Sequence, residues 1–144
     1  MRNHTAPVVA LGLALVLLGA CGSDAGSEPP TPSSSLSVIP RPASTAKVTV
    51  LSPTNGETVQ AGSVPLRVDL TGAELVPAAS TDLQPDEGHL HVILDDELLD
   101  MTSDLRGTLP DVSPGNHLLR IEFVASDHAP FDPRVVADVT FTAK

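Results

Sequence analysis

Two histidines stand close together in a stretch that could bind a metal ion. His89 and His91 belong to residues 88–94, where apolar and polar positions alternate. Successive side chains of a β-strand point to opposite faces, so both imidazoles would share one face with Ile93. Their Cα atoms would then lie about 6.5–7 Å apart. Two imidazoles at this spacing can share one ion, which makes them a candidate metal pair.

Two further histidines could complete such a site. His117 follows a Pro-Gly pair, and His128 follows Asp127, which could bind the ion directly or orient a ligand. Imidazole clusters suit Zn²⁺ or Cu²⁺. The competing interpretation, which the sequence favours, gives these histidines structural roles. They would then be half-buried side chains that hydrogen-bond nearby turns, and the domain would need no cofactor.

Other chemistry has less support in the sequence. Ser126, Asp127 and His128 are consecutive, and adjacent side chains of an extended chain point apart, which is wrong for a catalytic triad. No Gly-x-Ser-x-Gly elbow and no phosphate-binding glycine loop occurs. The acidic residues over 95–104 lack the spacing of a calcium loop and are typical of a solvated hairpin. We therefore predict that the protein is not an enzyme.

Charge and aromatic content exclude several classes of partner. The formal net charge is -10, which disfavours binding to nucleic acids and to anionic lipid surfaces. Aromatic residues make up 2% of the chain, with no Trp or Tyr. Carbohydrates and single-stranded nucleic acids usually stack on such side chains. The predicted partner is therefore a protein or small ligand that the sequence does not identify, and the oligomeric state is equally open.

The first residues have the character of a targeting segment. A positive charge at Arg2 precedes an almost wholly apolar run over 8–18, which is too short to span a bilayer core of about 30 Å. The run ends in Leu-Gly-Ala-Cys, which looks like the bacterial lipobox, with cleavage after Ala20 and acylation of Cys21. Two or more acyl chains would anchor the protein stably to a membrane. We expect residues 1–20 to be a lipoprotein signal peptide and the mature protein to be anchored on the extracytoplasmic face of the cell membrane.

The segment after the lipobox differs in composition from the rest of the chain. Residues 21–46 are rich in Ser, Pro, Thr and Ala. Such a segment buries too little apolar surface to offset its ordering entropy. The composition predicts a disordered linker. Cys21 is the chain's only cysteine, so no disulfide is expected.

From Lys47 onward the chain consists of short alternating runs separated by turn residues. The alternation predicts strands over residues 47–51, 64–71, 88–94, 117–125 and 135–141, with shorter ones over 58–59, 98–101 and 106–109. Residues 77–86 and 126–133 are predicted loops, and no run has a sustained helical period. About seven strands in roughly a hundred residues are typical of an immunoglobulin-like β-sandwich. We predict an all-β domain over residues 47–144.

Four short motifs resemble a group of small secreted bacterial immunoglobulin-like domains. In order they are Ser-Pro-x-Asn-Gly from Ser52, Gly-His-Leu-His-Val-Ile-Leu-Asp from Gly88, Ser-Pro-Gly-Asn-His-Leu-Leu from Ser113, and Ser-Asp-His-Ala-Pro from Ser126. The resemblance covers residues 48–141. The resemblance implies an immunoglobulin-like fold and a cell-surface location, and it implies no particular activity. The expected function is a noncatalytic binding or structural module, with a metal-binding lipoprotein as the alternative.

Overall fold

The computed structural model describes residues 40–144. The predicted signal peptide, its lipidated Cys21 and most of the predicted linker therefore lie outside the described residues. Within residues 40–144 every regular element is a strand, so this part of the chain holds no helix that could cross a membrane.

Nine strands make up the described part of the chain. They are β1 (Lys47–Ser52), β2 (Glu57–Val59), β3 (Gly62–Thr71), β4 (Glu74–Leu75), β5 (Glu87–Leu94), β6 (Glu97–Thr102), β7 (Arg106–Val112), β8 (Gly115–Ala125) and β9 (Pro130–Ala143).

The strands form two sheets. One has the order β1-β3-β7, and the other has the order β2-β9-β8-β5-β4 with β6 paired to β5. The long strands pair antiparallel, while the short strands β2 and β4 join their sheet in parallel. The predicted all-β, immunoglobulin-like sandwich is confirmed.

The core lies between the two sheets and follows the predicted alternation. Three strands contribute alternate apolar side chains to it: Val64, Leu66 and Val68 from β3, Leu90, Val92 and Leu94 from β5, and Leu119, Ile121 and Phe123 from β8. Each fully buried side chain of this kind contributes roughly 1.5–3 kcal/mol. Since alternate residues of β5 fill the core, His89 and His91 must lie on the opposite face of their sheet.

The last strand begins earlier than the sequence suggests. β9 starts at Pro130, which pairs with Val124, and a bulge over residues 131–134 of β9 separates this pair from the next one, Phe123 with Val135; the predicted loop over 126–133 therefore shrinks to residues 126–129. The reason is Phe131, whose buried ring stacks on Phe123 at 5.2 Å between centroids. Burying this ring extends the sheet and leaves His128 in a tight turn.

The end of the predicted linker is ordered against the domain. Of residues 21–46 the structure describes 40–46, and Ala46 is buried there. The Thr45 hydroxyl donates to the Gly72 carbonyl at 3.0 Å, and the Pro42 carbonyl accepts from the Asp132 amide at 3.0 Å.

Candidate metal centre

Strand β5 places His89 and His91 on the outer face of the larger sheet. His89 pairs with Val124 of β8, and His91 pairs with Glu122. Directly opposed residues of an antiparallel pair project to the same side, so these four side chains share one face. His89 is nevertheless fully buried, and His91 is half-buried. The part of the outer face around His89 is therefore shielded from solvent.

Gly88 allows β8 to come close to β5 beside the first histidine. A Cβ atom at this position would lie 2.0 Å from the Val124 carbonyl oxygen and 3.1 Å from the Phe123 ring. No side chain fits in that space. The glycine of the Gly-His pair is therefore needed for the strand spacing that buries His89.

The turn between β8 and β9 brings His128 to the other two histidines. The His128 ring lies 4.6 Å from the His89 ring and 6.0 Å from the His91 ring, and the His89 and His91 rings are 5.2 Å apart, all between centroids. His89 Nε2 and His128 Nδ1 are 3.1 Å apart. One ring nitrogen of each histidine lies within 4.8 Å of one from each of the others. The structure therefore assembles three of the four histidines that the sequence analysis named.

Two nitrogens of this cluster are buried without a hydrogen-bond partner. They are His89 Nδ1 and His91 Nε2, and the buried Ser126 hydroxyl beside the turn is also unpartnered. An unsatisfied buried polar group costs about 1–3 kcal/mol. The cluster therefore holds nitrogens whose bonding capacity the protein itself does not use.

The surroundings of His89 and His91 favour the neutral form of both rings near pH 7. Burial, followed by repulsion from His128 and His91, lowers the pKa of His89 to about 4. Burial also lowers the pKa of His91, and the charge of Glu122 opposes that shift only in part. A neutral imidazole keeps a free lone pair, which is the form that binds a metal ion.

Each carboxylate beside the cluster is paired with an arginine. Glu122 is almost completely buried and accepts from Arg134 Nε at 2.7 Å and from its Nη2 at 2.5 Å. Asp127 accepts from two nitrogens of Arg41 at 2.5 and 2.8 Å, and these bonds hold its pKa at about 2. Asp127 was a predicted ligand or orienting group, and the structure places it in this ion pair. The donor set of the cluster is thus purely imidazole.

His117 lies apart from the other three. It occupies the core face of β8, where its ring packs 5.3 Å from the Phe141 ring. Its Nδ1 lies 2.7 Å from an Asp95 carboxylate oxygen and its Nε2 lies 2.8 Å from the Ser113 carbonyl oxygen. A carboxylate and a carbonyl oxygen both accept hydrogen bonds, so this geometry stabilises the imidazolium, which carries hydrogen on both nitrogens. His117 thus holds a turn in place, which is the structural role predicted for it. In its protonated form the ring has no lone pair for a metal.

The site includes arginines that sequence reasoning missed. Arg41 falls in the predicted linker, and Arg134 falls at the edge of the predicted loop. The one available signal was Glu122, an acidic residue in the most apolar strand, because a carboxylate in such a strand needs a cation. Nothing in the sequence linked Arg41 to Asp127, which is 86 residues away.

A separate cleft opens between the free edges of β6 and β7. It encloses about 320 Å³ and is lined by apolar and polar side chains that include Leu66, Val92, Leu99, Asp100 and Arg106. None of the three clustered histidines lines this cleft.

Comparisons with known proteins give likenesses of fold only. No protein-family model and no curated protein matches the chain. Fibronectin(III)-like modules of Clostridium thermocellum CbhA share 19% identity, with 67% of this chain and 94% of that chain covered and a TM-score of 0.47. An engineered protein shares 13% identity over 69% of this chain and 20% of its own, with a TM-score of 0.45. The fold assignment rests on the strand pairing described above.

Proposed function

We propose that the domain is a noncatalytic metal-binding module that takes Zn²⁺ or Cu²⁺ on His89, His91 and His128. The observation that carries this proposal is the convergence of three imidazoles, two of which bury a nitrogen without a hydrogen-bond partner. We further propose that lipidated Cys21 holds the module at the extracytoplasmic face of the cell membrane.

The spacing of the ring nitrogens suits such an ion. Zn–N bonds of about 2.0–2.1 Å in tetrahedral geometry put two ligand nitrogens about 3.3 Å apart. His89 Nε2 and His128 Nδ1 are already 3.1 Å apart. The remaining separations are within 4.8 Å, and binding of an ion would require the rings to rotate until these nitrogens are also about 3.3 Å apart. His128 is exposed, which leaves a fourth position for water or a ligand from another molecule.

The alternative is a module whose histidines are purely structural. His117 shows what that role looks like in this fold, since both of its nitrogens are bonded to oxygen. The clustered histidines differ because His89 and His91 each bury a nitrogen without a partner. That contrast between histidines of one domain favours the metal site.

Calorimetric titration of the purified protein with Zn²⁺ and with Cu²⁺ tests the proposal. We expect one ion per chain with micromolar or tighter affinity, and tighter binding of Cu²⁺ because imidazole ligands follow that order. The double variant His89→Ala/His91→Ala and the single variant His128→Ala should lose this metal binding. His128 is exposed, so its variant should fold even where the buried pair does not tolerate change.

His117→Gln is the control, because it removes a histidine that lies outside the cluster. Its metal affinity should equal that of the wild type. No heat of binding with either ion, or equal binding by wild type and His128→Ala, would contradict the proposed function and favour the structural alternative.

A further inference from the structure

The turn that carries His128 has a strained backbone. His128 adopts a left-handed conformation with φ of 62°. For a residue other than glycine that conformation costs roughly 1–2 kcal/mol. Within the turn, the His128 amide donates to the Ala125 carbonyl at 2.9 Å and the Ala125 amide donates to the Ala129 carbonyl at 3.1 Å. Additional contacts must keep such a turn in one geometry.

Arg41 supplies those contacts on both sides of His128. Its guanidinium holds the Asp127 carboxylate through two bonds of 2.5 and 2.8 Å. It also donates to the Ala129 carbonyl at 3.1 Å and to the Pro130 carbonyl at 2.9 Å. The planar fork of arginine can make this set of bonds, whereas the single ammonium of lysine cannot. One side chain therefore fixes the residues before and after His128.

The residues that follow Arg41 also hydrogen-bond to Asp86, just before β5. Asp86, which directly precedes that strand, accepts from the Ser44 hydroxyl at 3.1 Å and from the Thr45 amide at 3.0 Å. The Pro42 carbonyl accepts from Asp132 at the start of β9. Residues 40–46, which we name the strap, thus join the strand that carries His89 and His91 to the turn that carries His128.

We infer that Arg41 is a positioning residue for the metal site, and that the strap controls metal affinity by holding His128 against β5. This inference rests on the proposed function. Coupling of two equilibria is reciprocal, so a bound ion must also hold the strap more firmly on the domain. Release of the strap would correspondingly weaken the site.

The ion pair between Arg41 and Asp127 should contribute little to the stability of the fold. An exposed ion pair contributes about 0–1 kcal/mol to folding. Arg120 and Asp138 provide a matched pair, since they also form two bonds, both of 2.8 Å, with similar exposure. That pair joins β8 to β9 on the same sheet and bonds no residue of the His128 turn. Arg120→Ala therefore removes a two-bond ion pair without releasing His128, although Arg41 makes two backbone bonds in addition.

Zn²⁺ titration of the wild type, Arg41→Ala, Arg41→Lys and Arg120→Ala tests the inference. We expect Arg41→Ala to bind Zn²⁺ about tenfold more weakly, within the usual range of coupling between sites. Arg41→Lys should recover little of that loss, and Arg120→Ala should bind as the wild type does. Thermal unfolding of the metal-free variants checks that both alanine variants are folded at the titration temperature, so that a loss of affinity confined to Arg41→Ala reports positioning.

Amide hydrogen exchange provides a second measurement on the wild type. Zn²⁺ should slow exchange at Asp132 and Thr45, whose amides bond the strap or belong to it. Equal Zn²⁺ affinity of Arg41→Ala and Arg120→Ala, or unchanged exchange on Zn²⁺ binding, would overturn the inference and leave the proposed function standing. Failure of the wild type to bind Zn²⁺ would overturn both.

Discussion

The histidines of this domain take opposite chemical forms because of the atoms around them. His117 faces two oxygen acceptors and is held as a cation. His89 faces other imidazoles and no carboxylate bonds it, so burial and like-charge repulsion keep it neutral. Identical side chains therefore favour the cationic form at one end of β8 and the neutral form, which the proposed metal site requires, near the other. The neighbouring atoms decide which role each takes.

The His117–Asp95 pair makes stability depend on pH. Burial acts to lower the pKa of His117, but bonds to Asp95 and Ser113 and the charge of Asp95 raise it overall. Burial of Asp95 is likewise outweighed by bonds from Leu118 and His117, which lower its pKa. The stabilisation is therefore full below the unfolded histidine pKa of about 6.5 and is lost as pH rises through the folded value. On the acid side it is lost as pH falls through the folded pKa of Asp95.

Asp95→Asn should expose this dependence. Asparagine keeps an oxygen for the Leu118 amide and tolerates the positive φ of 49° at this position, so the change removes the charge and the second oxygen, which accepts from His117. We expect a loss of about 1 kcal/mol in the free energy of unfolding at pH 5.5 and a smaller loss at pH 8.5. Urea denaturation at both pH values measures it. Asp96→Asn, in the same turn, is the control, and an equal effect of the two variants at both pH values would contradict the assignment.

At the scale of elements, the site depends on how closely two strands approach. β5 and β8 meet at Gly88 with no room for a Cβ, and close to that point β9 carries a bulge opposite β8. The bulge and the buried Phe131 start β9 early, which shortens the connection to residues 126–129. Close strands and a short turn together bring His128 over His89.

Replacing Gly88 by alanine should therefore damage both the fold and the site. A Cβ placed 2.0 Å from the Val124 carbonyl must push β5 and β8 apart. Overpacking of this kind costs about 1–3 kcal/mol, measured by urea denaturation, and we expect Zn²⁺ affinity to fall as well. Gly107→Ala is the control, since Gly107 lies in β7 with open space around its Cβ position. If Gly88→Ala were as stable as Gly107→Ala, the close approach would not be what positions His89.

At the scale of the whole molecule, alternation in the sequence predicted the sandwich and the face of β5 that carries the histidines. Period-two patterns report which face is buried, and that is enough to place Leu90 and Val92 in the core and His89 opposite them. The sequence could not select His128 over His117 as the third member. That choice depends on a bulge and on Phe131, whose single apolar position after the turn gave no periodic signal. Arg41 was missed for a similar reason, because a proline-rich composition describes a segment's average and not one side chain's partner.

The membrane anchor is the remaining prediction at this scale, and it concerns residues outside those the structure describes. If Cys21 receives two or more acyl chains, each buried CH₂ contributes roughly 0.8 kcal/mol and the protein should stay with the membrane fraction in high salt. Cells grown with a labelled fatty acid such as palmitate should yield labelled protein. Cys21→Ser should lose both the label and the membrane association while its Zn²⁺ affinity is unchanged, because the three histidines of the proposed metal site lie within residues 40–144. A Cys21→Ser protein that sediments with membranes as the wild type does would show that something other than an acylated thiol holds the module there.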